Sequence, residues 1–405
     1  MTFPYLPAQI MTISTSLASH VSPELRTAVF FFTQFMTGGA ATVFAGIWFS
    51  GEGLSSEEIG LINAVPVLTM LVLNLVVGRI ADRADDWRQV IMIGAVAAGI
   101  FPFGLFFVNE FWGILLFWTL ATVALMAVTP VADAAAMRIT RRRGTDYGAI
   151  RAWGTVGYLL VIFATGYLVI WFGGGIFLPL FVALAVLRGV AALALPRFRA
   201  PKDEGTPTKG ATHLLQVMQP WFLLPILGWA MVFATHLILN AFQSLLWKQQ
   251  GIAEDVIGVL IALGAASEAA MFFAFRRFAG RFSARTLILL SAAVSAARWV
   301  AMSFSPGVEI LFGLQLLHSV TFALGFLGCT NFIANWTSED IAAEAQSFAV
   351  VLQQAMAVVA IAGFGWLAGA WGAQAYLASA AFAALGGVLV WVSLRLKQPR
   401  MEQGH

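Results

Sequence analysis

The chain is poor in most of what a soluble enzyme uses. Of its 405 residues only 11% are charged, five are His, and one, Cys329, is a cysteine. A single cysteine excludes an internal disulfide and a CxxC pair, so Cys329 reads as a small packing residue within an apolar run. There is no nucleotide-binding loop, no HExxH and no Cys/His spacing suited to a metal, which removes the usual motifs for phosphate and zinc chemistry. No cofactor and no metal site is expected. The first 24 residues hold no Lys or Arg, and no small-residue cleavage site follows the first apolar run. That segment is therefore expected to stay on the chain rather than serve as a cleavable signal.

What the chain has in quantity is hydrocarbon. It is 60% hydrophobic, with a mean hydropathy of +0.84, a composition of polytopic membrane proteins rather than of soluble domains. About 20 apolar residues cross about 30 Å of bilayer as a helix. Twelve runs meet that length: 25–49, 57–79, 88–108, 111–137, 148–171, 175–195, 221–247, 255–276, 285–304, 309–333, 342–369 and 373–395. Each must satisfy its own backbone hydrogen bonds in lipid, and the runs are too long and too uniformly apolar for barrel strands. The expected fold is all-α, with twelve transmembrane helices in two six-helix bundles.

The basic residues set the orientation. Of 23 Lys and Arg, all but Arg151, Arg188, Lys248 and Arg298 lie at the termini or in the connections after even-numbered runs. By the positive-inside rule those connections and both termini face the cytoplasm. The net charge of +3 thus belongs to a membrane surface facing lipid headgroups, and does not point to nucleic acid. Residues 197–220, rich in Pro, Gly, Thr and Lys, separate six runs from six and read as a linker. The expected organisation is an N-terminal cytoplasmic segment 1–24, a bundle 25–196, the linker 197–220, a second bundle 221–396 and a tail 397–405. GRIADRADDWRQVIMI after run 2 echoes FRRFAGRFSARTLILL after run 8, as a duplicated transporter half would.

Against this background Glu268, Arg298 and His318 stand out, one in each of runs 8, 9 and 10. An ionisable group in a span costs roughly 3 kcal/mol and normally faces a polar cavity or a partner. One reading is a neutralised cluster that fixes helix packing. The other is a proton site beside a cation, in which Glu268 and His318 share a proton that a nearby Arg298 can load or release. Asp133 in run 4 and Arg151 in run 5 admit an ion pair at a helix boundary, or a carboxylate and a guanidinium fork that grip one polar ligand. His236, Asn240 and Gln243 fall at i, i+4 and i+7, on one face of an α-helical run 7, as interhelical glue or as pore lining. Arg188 is expected to snorkel to the cytoplasmic surface.

Gly78, Asp82, Arg83 and Arg88 in GRIADRADDWR fit the Gly-x-x-x-Asp-Arg-x-x-x-x-Arg loop of the major facilitator superfamily. TPVADAAAMRI, DYGAIRAWGTVGY, ASEAAMFFAFRRFAGRFSARTLILLSA, ARWVAM and LLHSVTF resemble the phenylpropionate permease group, which is related to lactose permease and the nucleoside/proton symporters. The resemblance implies a facilitator fold in a bacterial-type inner membrane, a chain that works as a monomer, and proton-coupled uptake by alternating access. The substrate it implies is a small aromatic carboxylate such as 3-phenylpropionate, bound by Asp133, Arg151, Arg298, His236 and Asn240. Glu268, His318 and Asp133 are the expected proton-coupling groups. Gly78, Asp82, Arg83 and Arg88 are expected to bias the conformational equilibrium. The sequence departs from lactose permease at Thr321, where an acidic residue is expected, and at Gln315 and Gln353, where Lys is expected. That leaves Glu268 as the proton carrier and argues against lactose. Nucleoside or oligosaccharide symport and proton-antiport efflux remain alternatives, while an intramembrane hydrolase using Asp133, Glu268 and His318 finds no supporting motif.

Overall fold

Apolar side chains over 20 or more residues leave the backbone no partner but itself, and the runs fold as helices. The structure, a computed structural model, describes residues 21–84, 86–145, 147–198, 219–275, 281–336 and 339–396, giving the backbone alone at 74–76, 78–83, 137–138, 141, 148, 273, 339–344 and 347. Its helices are α1 (Pro23–Gly51), α2 (Ser56–Arg83), α3 (Trp87–Ile100), α4 (Phe111–Arg143), α5 (Tyr147–Phe172), α6 (Phe177–Leu193) and α7 (Pro220–Ile238). They continue as α8 (Ser244–Gln249), α9 (Glu254–Ala274), α10 (Ala284–Ser303), α11 (Val308–Leu316), α12 (Gly325–Trp336), α13 (Glu339–Trp371) and α14 (Tyr376–Arg395).

Among the described residues eleven stretches are long and apolar enough to cross a membrane, and the last, Phe348–Arg395, contains most of α13, a short turn and all of α14. The break is a short 3-10 turn at Gly372, whose φ of +57° suits a residue without Cβ. The described residues therefore hold twelve membrane-length segments. The seventh is α7 plus α8 and the tenth is α11 plus α12, each joined by a π-helical turn, at Leu239–Gln243 and Ser319–Leu324. A π turn holds one residue more than the α-helix it interrupts and frees backbone groups from the i→i−4 ladder. In the second of them the Thr321 carbonyl accepts a hydrogen bond from the Ser291 hydroxyl at 2.7 Å.

The chain divides into two compact units. The first comprises Met1–Glu52 and Val72–Lys202, the second Gly53–Leu71 and Asp203–His405. The first half of α2 thus groups with the later helices rather than with its sequence neighbours.

Within the first unit α1 packs closely on α5. A methyl group added to Gly157 would meet the Phe32 carbonyl oxygen at 2.3 Å, so only glycine permits this approach. α3 meets α6 in the same way, with a methyl on Gly99 falling 3.0 Å from the Ala185 carbonyl. Phe30, Phe31, Trp87, Ile91 and Ala132 form the core between them.

Within the second unit α7 is the central helix, packed on α10, α13 and α14. Gly228 of α7 and Gly386 of α14 abut, with no room for a methyl on either: it would fall 2.5 or 2.6 Å from the other's carbonyl oxygen. Gly60 of α2 lies on Gly365 of α13, where an added methyl would be 3.1 Å from the opposing Cα.

Candidate functional site

In the second unit the polar side chains of α9, α10 and the α11/π segment converge. Arg298 is 1% exposed, an interior cation held by neutral acceptors. Its Nη1 donates to His318 Nδ1 at 3.2 Å and to Thr321 Oγ1 at 3.1 Å, and its Nη2 donates to Gln315 Oε1. A guanidinium has no acceptor, so His318 Nδ1 accepts and the neutral ring carries its hydrogen on Nε2. That hydrogen faces Glu268 Oε2, 3.3 Å away. The order Arg298, His318, Glu268 is thus a directed chain of donors ending on a carboxylate, and the Glu268 side chain is 27% exposed.

The surroundings fix this chain in place. Ser267 Oγ donates to Gly264 O at 2.8 Å within α9 and to Gln315 O at 3.3 Å, tying α9 to α11. His318 stacks on Phe322 at 5.3 Å between ring centroids. The Arg298 guanidinium lies 4.9 Å from the Trp299 ring centre, within cation–π range. Trp299 in turn donates Nε1 to Thr235 Oγ1 at 3.0 Å and stacks on Tyr376 at 5.8 Å.

His236 is buried edge-on to Trp299, and its Nδ1 donates to the Val232 carbonyl at 2.9 Å. The expected stripe of His236, Asn240 and Gln243 does not form: His236 and Gln243 are buried while Asn240 is exposed. A π turn begins at Leu239, so the period of 3.6 residues on which that stripe rests does not hold through Gln243.

The first unit holds a second constellation. Asp133 Oδ1 accepts from Tyr147 Oη at 2.8 Å and from Arg151 Nε at 3.1 Å. The Arg151 Cζ sits 3.9 Å from the centre of the Phe35 ring and 5.4 Å from that of Phe31. Gly154 makes this possible, since a methyl there would meet the Phe35 ring at 2.8 Å. Only Nε of Arg151 bonds to a described protein group, and the side chain is 29% exposed. No hydrogen bond among the described residues is recorded from its Nη1 and Nη2. Trp153 points elsewhere, exposed and edge-on to Phe32.

Arg88 donates Nη2 to the Leu193 carbonyl at 2.7 Å, at the end of α6, where a cation complements the helix dipole. Asp86 caps α3 through the Arg88 amide and also accepts from the Phe198 amide at 3.0 Å. The side chains of Gly78, Asp82 and Arg83 lie outside the described residues.

Arg188 does not snorkel. It is 1% exposed, inside the first unit, because α6 ends only five residues later and turns its Arg188 face toward α1 and α3. Sequence reasoning also passed over Phe31, Phe35, Tyr147, Gln315 and Thr321 as partners of the charged groups. Among 34 Phe nothing marks the two that flank an arginine, except that they sit in the dense run FFFTQF.

Twelve apolar helices, with ionisable side chains on inner helices bonded to one another rather than to lipid, define a multi-pass membrane transporter. The MFS_1 like family model matches residues 25–383, and the chain belongs to that family of the major facilitator superfamily. Its curated relatives include the probable 3-phenylpropionic acid transporter of Escherichia coli (strain K12). That protein is 27% identical over 354 residues, covering 83% of this chain and 89% of the relative. The maltose permease of Geobacillus stearothermophilus is 27% identical over 333 residues, covering 81% and 82%. Among solved structures, the nucleoside transporter NupG superposes with a TM-score of 0.81 at 16% identity, covering 93% of this chain and all of that one. A D-xylose-proton symporter superposes with a TM-score of 0.68 at 12% identity, covering 94% and 97%. These two likenesses establish the fold. The protein is a facilitator-type transporter and not an enzyme.

Proposed function

We propose that the protein is a proton symporter of a small aromatic carboxylate, 3-phenylpropionate being the representative substrate. The observation that carries this reading is the free outer fork of Arg151 above the Phe35 ring. A guanidinium fork matches a carboxylate with two parallel hydrogen bonds, and the partly exposed Phe35 beside it supplies an aromatic neighbour for the ring end. Arg298 is less suited to the anion, since both its terminal nitrogens are bonded and it is buried. Its work lies in the proton chemistry.

Glu268 is the proton carrier. With Arg298 donating to Nδ1, His318 is held as an Nε2–H donor to Glu268. A second proton on His318 would set two donors against each other, so an incoming proton goes to the carboxylate. Loading Glu268 removes the negative end of the chain and weakens its hold on His318 and, through it, on Arg298. Turnover by alternating access then requires substrate on Arg151 and a proton on Glu268 together, neither alone giving enough differential stabilisation. One copy of the chain carries out the cycle, with both termini and the basic connections on the cytoplasmic side of the inner membrane. Asp82, Arg83 and Arg88 beside Gly78 bias the two orientations through charge-assisted bonds.

A second reading is symport of a neutral hydroxylated molecule, a nucleoside or oligosaccharide. Gln315, Thr321 and Glu268 are hydroxyl-bonding groups on one cluster, and two of the similar proteins are named for maltose and nucleoside transport.

The test is uptake of radiolabelled 3-phenylpropionate into proteoliposomes, with and without an inward proton gradient, for wild type and Glu268→Gln. Gradient-driven accumulation in wild type, lost in the variant while substrate exchange persists, is the expected result. Absence of accumulation in correctly oriented wild-type vesicles, with uptake of uridine or maltose instead, replaces the first reading by the second. Accumulation unchanged in Glu268→Gln removes Glu268 from coupling.

A further inference from the structure

We propose that the gap between α13 and α14 binds one small uncharged aromatic alcohol, of the size of benzyl alcohol, taken from the surrounding bilayer. The site lies wholly in the second unit and does not depend on what the protein transports.

The gap arises from small side chains. Ala360 and Gly363 of α13 and Ala378 and Ser379 of α14 line it, and residues of this size leave space between two helices that larger ones would fill. Thr235 of α7 closes one side, and the cavity measures about 130 Å³. A dry cavity of about 150 Å³ lined by Leu, Ile and Phe takes one benzene, so a single ring matches the space here. Its inner wall is buried, at Thr235, Phe364 and Ser379, while Val359 and Gly363 at its edge are exposed. A methyl group added to Gly363 would meet nothing within 4 Å, so the mouth is open.

The lining selects the class of guest. Among the described residues no charged side chain borders the cavity, which leaves an ion without a counter-charge. Phe364 and Phe382 offer aromatic surface to a ring. The Thr235 hydroxyl is already engaged, donating to the Val232 carbonyl at 2.7 Å and accepting from Trp299 Nε1 at 3.0 Å. Ser379 is different. Ser267, Ser303, Ser319 and Ser393 each donate to the carbonyl three residues back, the usual outlet for a serine hydroxyl in a helix. Ser379, buried on the cavity wall, makes no hydrogen bond among the described residues. A guest with one hydroxyl on an apolar ring satisfies it, whereas the end of a lipid tail fills the same walls and leaves Ser379 unpaired. The route in is through hydrocarbon: the cavity lies within the apolar stretch Phe348–Arg395, and the exposed side chains next to it on the two helices include Trp366 and Leu377.

The test is photolabelling of the full-length protein in proteoliposomes with 4-azidobenzyl alcohol, read by peptide mass spectrometry. Labelling of residues 359–367 and 378–382 should saturate and be displaced by benzyl alcohol, while labelling of the exposed Leu385 and Val388 should rise linearly with probe. Toluene keeps the ring and lacks the hydroxyl. At equal concentration in the bilayer it should need to be about fivefold more abundant for half displacement, the effect of one hydrogen bond. Ser379→Ala should erase that difference. Gly363→Leu sends a side chain into the open mouth, favours the helix more than Gly does, and should abolish saturable labelling. Labelling that never saturates, or that is unchanged in Gly363→Leu, overturns the site. An unchanged ratio of benzyl alcohol to toluene in Ser379→Ala overturns the alcohol as its guest. Displacement by ionised 3-phenylpropionate would make the gap part of the transport route. Labelling of the same segments by a photoreactive phospholipid tail that benzyl alcohol does not displace would assign it to lipid. Either result overturns the proposal.

Discussion

At the scale of single residues, donor and acceptor counts decide the roles. Arg298 and Arg151 are both arginines inside a helical membrane protein, but the first has its outer nitrogens occupied and the second has them free. Arg151→Lys therefore removes a two-pronged contact while keeping the charge. The half-saturating concentration of 3-phenylpropionate in transport assays should rise about tenfold, equivalent to about 1.4 kcal/mol. A merely charge-balancing role for Arg151 would leave it unchanged. Thr235 offers a stability test, since it is the acceptor for the Trp299 indole. Thr235→Val leaves a buried N–H unpaired and should cost about 1–3 kcal/mol, seen as a lower Tm, while Thr235→Ser keeps the acceptor and most of the stability. Glu268, Arg298 and His318 were legible in the sequence because each interrupts an apolar run that composition alone would keep neutral. Gln315 and Thr321 were visible only as departures from lactose permease, although Arg298 bonds to both. The burial of Arg188 was not legible: position along a helix gives depth in the membrane, but which way a side chain faces depends on neighbouring helices.

At the scale of helices, hydropathy located the segments well and their internal geometry not at all. The fold's helices follow the twelve runs closely, since length and apolarity are what the bilayer demands. The π turns at Leu239–Gln243 and Ser319–Leu324 leave no mark in composition, and a face drawn with a period of 3.6 residues does not carry through them. Deleting Asn240 restores α-helical winding and rotates His236 relative to α8 by about a third of a turn. The variant should keep its helical far-UV circular dichroism and lose uptake; full uptake would show that the π turn does not matter to transport. The α1/α5 crossing makes a simpler prediction. Gly157→Leu places atoms where the Phe32 carbonyl lies, and overpacking of this kind costs about 1–3 kcal/mol. Its Tm should fall below that of Ala152→Leu, an exposed position on the same helix.

At the scale of the whole chain, the asymmetry of Lys and Arg gives a topology that labelling can check. Cys329 is buried, and Cys329→Ser leaves a background without thiols. In it, Lys248→Cys should react with an impermeant maleimide on intact cells, while Gln403→Cys should react only after permeabilisation. The reverse pattern would invert the orientation. A simple division of the chain at its central linker did not anticipate the grouping of Gly53–Leu71 with the later helices. Within that unit Gly60 lies against Gly365, two glycines about 300 residues apart that no local pattern connects.

The two π turns also bear on how this chain is compared with its kin. Each holds one residue more than the α-helix it interrupts, inside a helix where alignments seldom allow a gap. Set against a relative whose corresponding helices are unbroken, residues 244–249 and 325–336 run one position ahead. A role transferred by column, without a gap at the turn itself, would then land on the wrong side of the helix.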